Sequence, residues 1–225
     1  SKIPPELFEK ARMSVLLIGP LLSRFSSFKI PHPGGDKIGL RPITTHLEGL
    51  QSFGAQVHNS GQFYYFERPK TLRGARIVLK EFSVTATENV MLAAALAKGN
   101  TQIEIAAAEP HVQKLGEFLR KMGLKIEGEG THTIKIQGAQ KLRGAKDAVI
   151  PDYIEAGTFL IALAATGGQG LIRNVESQHL SFFLERMKEI GVNFQVRGKT
   201  IRVEKSKNLK AAKIQILPNP GFPTD

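Results

Sequence analysis

The stretch Pro31-His32-Pro33-Gly34-Gly35-Asp36-Lys37-Ile38-Gly39-Leu40-Arg41-Pro42 carries the densest potential chemistry in the sequence. Adjacent glycines tolerate unusual backbone angles and let a ligand come close to the chain. Asp36 can hold or deliver a proton. Arg41 can grip a phosphate or a carboxylate through two parallel hydrogen bonds. A flexible hairpin with charged residues facing water is the competing reading of the same composition. The following Ile43-Thr44-Thr45-His46 leads into a helix whose first turn offers free backbone N–H groups to an anion. Arg12 is an isolated charge just ahead of the apolar run 15–18, where snorkelling to the surface is the ordinary explanation. Ser83-Val84-Thr85 precedes an alanine-rich helix and reads as an N-cap cluster. That role is compatible with a hydroxyl contact to a ligand.

The elements that must position these residues repeat along the chain. Gly54, Gly123 and Gly191 stand 69 and 68 residues apart. Four residues before each is Leu50, Leu119 or Met187, and one before is Phe53, Met122 or Ile190. Apolar residues three apart share one helix face. A glycine then supplies the left-handed C-cap, and Val57, Ile126 or Phe194 opens a strand three residues on. Leu72-Arg73-Gly74-Ala75 recurs as Leu142-Arg143-Gly144-Ala145, with an echo at Leu209-Lys210-Ala211-Ala212. Alanine-rich helices are expected over 87–97 and 155–166, with strands over 101–105, 133–137, 170–174 and 200–203.

One unit of about seventy residues therefore reads strand, helix, strand, helix, strand, strand, larger than a thin solenoid repeat. The chain holds almost two such units behind a partial one. A first helix is expected to begin near Pro4-Pro5-Glu6 and run to about Arg24. The turn-rich string 219–225 follows the last unit, and the chain reads as an internal piece of a longer repeat protein.

Composition narrows the function classes. There are 31 Lys+Arg against 20 Asp+Glu, a net charge of +11, which favours anionic partners. The bases are scattered, Trp is absent and Tyr numbers three, so stacking platforms for single-stranded nucleic acid are scarce. With no Cys, disulfides, thiolate metal sites and a cysteine nucleophile are excluded. The most apolar stretch, 15–22, is broken by Gly19-Pro20 and is far too short to span a bilayer.

Taken together, Arg12-x-Ser14-x-Leu16-x-x-Gly19-Pro20-Leu21-Leu22-x-Arg24 and Pro33-Gly34-Gly35-Asp36-x-Ile38-Gly39-x-Arg41-Pro42-x-x-x-His46-x-x-Gly49-Leu50 resemble the enolpyruvyl transferases. Within them the likeness is to the UDP-N-acetylglucosamine 1-carboxyvinyltransferases. Ser83-Val84, Glu109-Pro110, Asp152-x-Ile154-Glu155-x-Gly157-Thr158-Phe159 and Gly221-Phe222-Pro223-Thr224-Asp225 agree in collinear order.

The resemblance implies an α/β (α+β) chain with the inside-out α/β barrel fold, built from βαβαββ units. About three of the family's six units would be present. Residues 1–150 would be the later part of one domain (partial unit 1–70, unit 71–150), and 151–225 the start of the other. The implied reaction, in the cytoplasm, moves enolpyruvate from phosphoenolpyruvate to the 3-hydroxyl of UDP-N-acetylglucosamine. It is the first committed step of peptidoglycan synthesis and needs no metal or organic cofactor. Nucleic acid and membrane are not expected partners, and a monomeric parent protein is expected.

By the same resemblance Asp36 takes the place of a loop residue that is usually Cys. That exchange removes the thiolate which fosfomycin alkylates. Asp225 matches the carboxylate proposed as base at the sugar hydroxyl, and Arg41 the loop arginine at phosphoenolpyruvate and the diphosphate. Arg12 matches an arginine lining the nucleotide-sugar site. Pro42, Ile43, Thr44 and Thr45 match a segment whose backbone touches the uridine. Glu81, Phe82, Ser83 and Val84 cover the diphosphate and nucleotide loop. Thr44 stands where Asp is common, Glu81 where Lys is common, with Lys80 as a neighbouring substitute, and Tyr153 where Arg is common.

The family's phosphoenolpyruvate-binding Lys-Asn pair and further arginines lie outside the chain, so the isolated piece is expected to be inactive. The alternatives are the sister 5-enolpyruvylshikimate-3-phosphate synthase, against which the Gly-Gly-Asp loop argues, and a non-catalytic repeat or nucleotide-sugar-binding fragment.

Overall fold

The computed structural model describes residues 3–36 and 39–223. Two compact units divide the chain, residues 1–147 and residues 148–225.

The first unit opens with α1 (Pro5–Phe8), a 3-10 segment (Arg12–Leu17) and α2 (Ile18–Arg24). The single helix expected to reach Arg24 is thus three short pieces. Pro20 has no N–H to give the carbonyl of Leu16, and its ring crowds that carbonyl, so an α-helix cannot run through from Arg12. Next come β1 (Ser27–Pro31), α3 (Thr44–Gln51), β2 (Gln56–Ser60) and β3 (Phe63–Glu67). These strands form an antiparallel sheet of order β1-β3-β2.

A full βαβαββ unit follows: β4 (Arg76–Val78), α4 (Val84–Ala94), β5 (Asn100–Glu104), α5 (Pro110–Lys121), β6 (Lys125–Glu127) and β7 (Thr133–Gln137). Its sheet runs β4-β5-β7-β6, with β4 parallel to β5 and the other pairs antiparallel. The alternation Thr133-Ile134-Lys135-Ile136-Gln137 buries its isoleucines and leaves the polar residues out, as a half-solvated strand should.

The second unit holds α6 (Tyr153–Ala165), β8 (Gly170–Arg173), a 3-10 turn (Ser177–Leu180), α7 (Ser181–Ile190), β9 (Phe194–Arg197) and β10 (Thr200–Val203). Its sheet order β8-β10-β9 reproduces β1-β3-β2 and β5-β7-β6. The opening strand that would match β4 is missing among the described residues before α6. Val149 there is almost fully exposed.

The repeat holds in fine detail. Gly54, Gly123 and Gly191 take φ of 91°, 102° and 92°, the left-handed geometry expected of helix-ending glycines. The residue before each accepts a hydrogen bond from the echoing segment: Arg73 N to Phe53 O, Arg143 N to Met122 O and Lys210 N to Ile190 O, at 3.5, 2.9 and 2.8 Å. Ile105 and Asn174, one repeat apart, are both left-handed at φ 58°.

The core of the first unit surrounds α4, whose Ala86, Val90, Met91, Ala93 and Ala94 are fully buried. Two helices reach it through glycines. A Cβ on Gly19 of α2 would lie 2.4 Å from the Asn89 carbonyl oxygen, and one on Gly49 of α3 2.7 Å from Val90 Cγ2. This close approach sets the first turns of α3 and α4 side by side.

Candidate functional site

The glycine loop is docked on the segment between α1 and α2. Gly35 N donates to Glu9 O at 3.2 Å. Gly34 lies so close to that carbonyl that any Cβ would overlap it, and Gly35, at φ 101°, packs against Arg12. Asp36 follows directly and is exposed. At the far end of the loop Arg12 Nη2 donates to Arg41 O at 2.5 Å and to Pro42 O at 3.4 Å. Arg12 therefore touches both ends of the loop.

The same geometry gathers charge. Burial lowers the Arg12 pKa from its ordinary value, and the Arg41 guanidinium lowers it further against a smaller opposing effect of Tyr64. Two guanidiniums that repel each other form a place where an anion is favoured. Arg41, Pro42 and Thr44 are exposed there. Ile43 and Thr45 are buried. Ile43 fills the core, so only its backbone is available to a ligand.

On the α4 side Ser83 caps the helix: its Oγ accepts from Ala86 N at 3.3 Å. Val84 packs on the core, and Phe82 stands partly exposed against the ring of His132, centroids 4.6 Å apart. Glu81 is joined to the first turn of α3, where Thr45 Oγ1 donates to its Oε1 at 2.9 Å. Lys80 Nζ meets Glu48 Oε1 at 2.6 Å. The expected substitute for a missing lysine is thus paired with a carboxylate of α3, and Glu81 ties α3 to the loop before α4.

The structure brings Arg12, Arg41, Pro42, Thr45, Glu81 and Ser83 together around the first turns of α3 and α4, with Asp36 beside Gly35. Asp225 lies outside the described residues. Sequence reasoning left His46 and Asn89 out of the site, although His46 stood in the quoted motif. Asn89 Nδ2 lies 3.0 Å from His46 Nδ1, and Thr85 Oγ1 3.1 Å from His46 Nε2. Burial, and then the charge of Arg12, push the His46 pKa down to about 4. The imidazole is neutral at physiological pH. The signal for Asn89 was a lone amide inside an apolar helix, which demands buried partners.

A second missed pair is Glu88 with Glu109. Burial, and then Glu109, push the Glu88 pKa up to about 7, and an oxygen of each is buried without a hydrogen-bond partner. Among the described residues no group of three or more His, Cys, Asp or Glu could hold a metal, and no helix is long and apolar enough to cross a membrane.

This fold is that of known enolpyruvyl transferases. The enolpyruvyl transferase NikO from Streptomyces tendae superposes with a TM-score of 0.76 at 19% identity, over 89% of this chain and 48% of that one. An EPSP synthase from Acinetobacter baumannii gives 0.64 at 23% identity, over 89% and 47%. Residues 1–225 match the family described as EPSP synthase (3-phosphoshikimate 1-carboxyvinyltransferase), and the chain belongs to that family. Its relatives include UDP-N-acetylglucosamine 1-carboxyvinyltransferase 1 of Caldanaerobacter subterraneus, 49% identical over 99% of this chain. The UDP-N-acetylglucosamine 1-carboxyvinyltransferase of Myxococcus xanthus is 42% identical over the same share. The chain spans about half the length of these relatives, 53% in both cases.

Proposed function

We propose that this chain supplies part of the site of a UDP-N-acetylglucosamine 1-carboxyvinyltransferase. Residues 1–150 belong to the later part of one domain and 151–225 to the start of the next. The observation that carries this reading is the Arg12–Arg41 pair at the Gly34-Gly35-Asp36 loop. It occurs in a chain 42–49% identical to proteins of that name.

In the reaction the sugar 3-hydroxyl oxygen bonds to C2 of phosphoenolpyruvate while C3 gains a proton. A base takes the hydroxyl proton. Loss of phosphate and of a C3 proton then restores the double bond in the product. Asp36 is the acid that serves C3, giving it a carboxyl proton. Arg41 holds the phosphate, and Arg12 holds the loop end in place while facing the nucleotide sugar. Asp225 is the base. The isolated chain lacks the remaining anion-binding groups and does not turn over.

Calorimetric titration with UDP-N-acetylglucosamine, with and without phosphoenolpyruvate, tests the reading. Saturable binding without phosphate release is expected. Preference for 3-phosphoshikimate over the nucleotide sugar would overturn the acceptor, and saturable phosphate release by the chain alone would overturn its inactivity. Fosfomycin should leave the chain unmodified by mass spectrometry, while Asp36→Cys, which introduces its sole thiol, should gain an adduct in the presence of the nucleotide sugar.

A further inference from the structure

The hydrogen bonds around His46 can be assigned donor by donor. Asn89 Oδ1 accepts from Gly19 N at 2.8 Å, and Asn89 Nδ2 donates to Val15 O at 2.9 Å. A backbone N–H only donates and a backbone carbonyl only accepts, so these two contacts fix which way the amide faces. The second proton on Asn89 Nδ2 is then directed at His46 Nδ1, 3.0 Å away. That nitrogen must present its lone pair. The ring proton of a neutral His46 sits on Nε2, and it donates to Thr85 Oγ1 at 3.1 Å.

Thr85 therefore accepts through its hydroxyl oxygen and keeps its own proton unspent. Among the described residues nothing takes that proton. Thr85 is half-buried in the first turn of α4, next to Val84 and two residues after Ser83. A protonated His46 would set an Nδ1–H against the Asn89 amide donor and a positive charge near Arg12. Both oppose it, so the direction of the relay is locked.

We propose that His46 is a positioning residue: its Nε2–H holds the Thr85 hydroxyl so that the hydroxyl proton is presented to a diphosphate oxygen of a bound nucleotide sugar. The proposal rests on the nucleotide-sugar reading above. It adds a neutral donor beside the guanidinium pair. It also links ligand contact to the packing of α2 and α3 on α4, because one amide, Asn89, joins Val15, Gly19 and His46.

Two measurements on this chain test it. The first needs no ligand. Long-range proton–nitrogen correlation spectra of the histidine-labelled chain should show His46 as the Nε2–H tautomer from pH 5 to 8, assigned by its loss in His46→Gln among the six histidines. An Nδ1–H tautomer, or an imidazolium at neutral pH, would overturn the relay. The second is calorimetry with UDP-N-acetylglucosamine. Thr85→Val, which keeps the shape and removes the hydroxyl, should weaken binding about tenfold, the usual loss for one hydrogen bond to a charged group. Thr85→Ser should bind within about twofold of the parent. The His46 tautomer should persist in Thr85→Val, which separates a lost ligand contact from a disordered site.

Equal binding by Thr85→Val and the parent would overturn the proposal while leaving the nucleotide-sugar reading intact. Absence of any binding by the parent chain would overturn that reading and the hydroxyl's role with it.

Discussion

Helices α4 and α6 occupy equivalent places in successive repeats, but one is enclosed and the other is half bare. α4 is packed by α2, α3, α5 and the 3-10 segment that starts at Arg12. It buries even its polar residues, with Asn89 and Thr87 at 0% exposure. α6 is the more apolar sequence, yet Phe159 and Ile161 are 56% and 44% exposed. Its partners are α7, the preceding 3-10 turn and the strands β8 and β10 of its own unit. Polar chemistry can be buried in α4 because neighbours on several sides supply hydrogen-bond partners. In α6 the equivalent of Thr87 is the buried, apolar Ala156, and the equivalent of Asn89 is the exposed Thr158, whose Oγ1 bonds only within its own helix, to Ile154 O.

The contrast is broken most severely at equivalent positions 89 and 158. Asn89→Ala strands the Gly19 N–H, the Val15 carbonyl and His46 Nδ1, and should cost the first unit about 3–4 kcal/mol in urea unfolding. Thr158→Ala should change the second unit by about 0.5 kcal/mol or less.

The buried acid of α4 gives the next effect. The Glu88 pKa is raised in the fold, from 4.5 to about 7, so its contribution is full below pH 4.5 and is lost as pH rises through 7. The His46 pKa is lowered, from 6.5 to about 4, so its contribution is present above pH 6.5 and is lost as pH falls through 4. The two slopes oppose each other in the parent. Glu88→Gln should raise stability at pH 8 by up to about 3 kcal/mol and remove the component that opposes the His46 slope. Unfolding midpoints measured from pH 4 to 8 check this, and an unchanged profile would refute the assignment.

Helix glycines sharpen the comparison. Gly19→Ala drives a Cβ into the Asn89 carbonyl and should destabilise the first unit by about 2 kcal/mol. In α6 a Cβ on Gly157 meets Phe183 at an ordinary 3.4 Å. Gly157→Ala should stabilise the second unit by about 0.5–1 kcal/mol through helix propensity. Smallest of all, Phe159→Ser should shift unfolding by about 0.5 kcal/mol or less while reducing binding of an apolar dye to α6. A large loss of stability there would mean that this face is covered after all.

Much of the local architecture was legible. The three C-cap glycines, the Leu-Arg and Leu-Lys echoes and the alternating strand Thr133–Gln137 all express rules that act within a few residues. The first helix, read from its Pro4-Pro5-Glu6 start through to Arg24, was misread because the missing donor at Pro20 breaks it. The repeat's opening strand has no counterpart among the described residues before α6, because extension there depends on a pairing partner, which β4 has in β5. In the site, Arg12 and Arg41 were picked out as charges in an unusual context. The pairing of Lys80 with Glu48, and the Asn89–His46–Thr85 chain, join residues 32 to 43 positions apart, and no local pattern announces them.

Sequence alone determined the repeat, the glycine loop with its carboxylate and cations, and the membership of an enolpyruvyl transferase family, because each depends on residue type at short spacing. Tertiary structure decided which of those charges are free and which are spent, where the imidazole proton sits, and which alanine-rich helix is enclosed. Burial and hydrogen-bond direction are properties of neighbours brought together by packing, and glycine contacts as close as that of Gly19 with α4 are what bring them together.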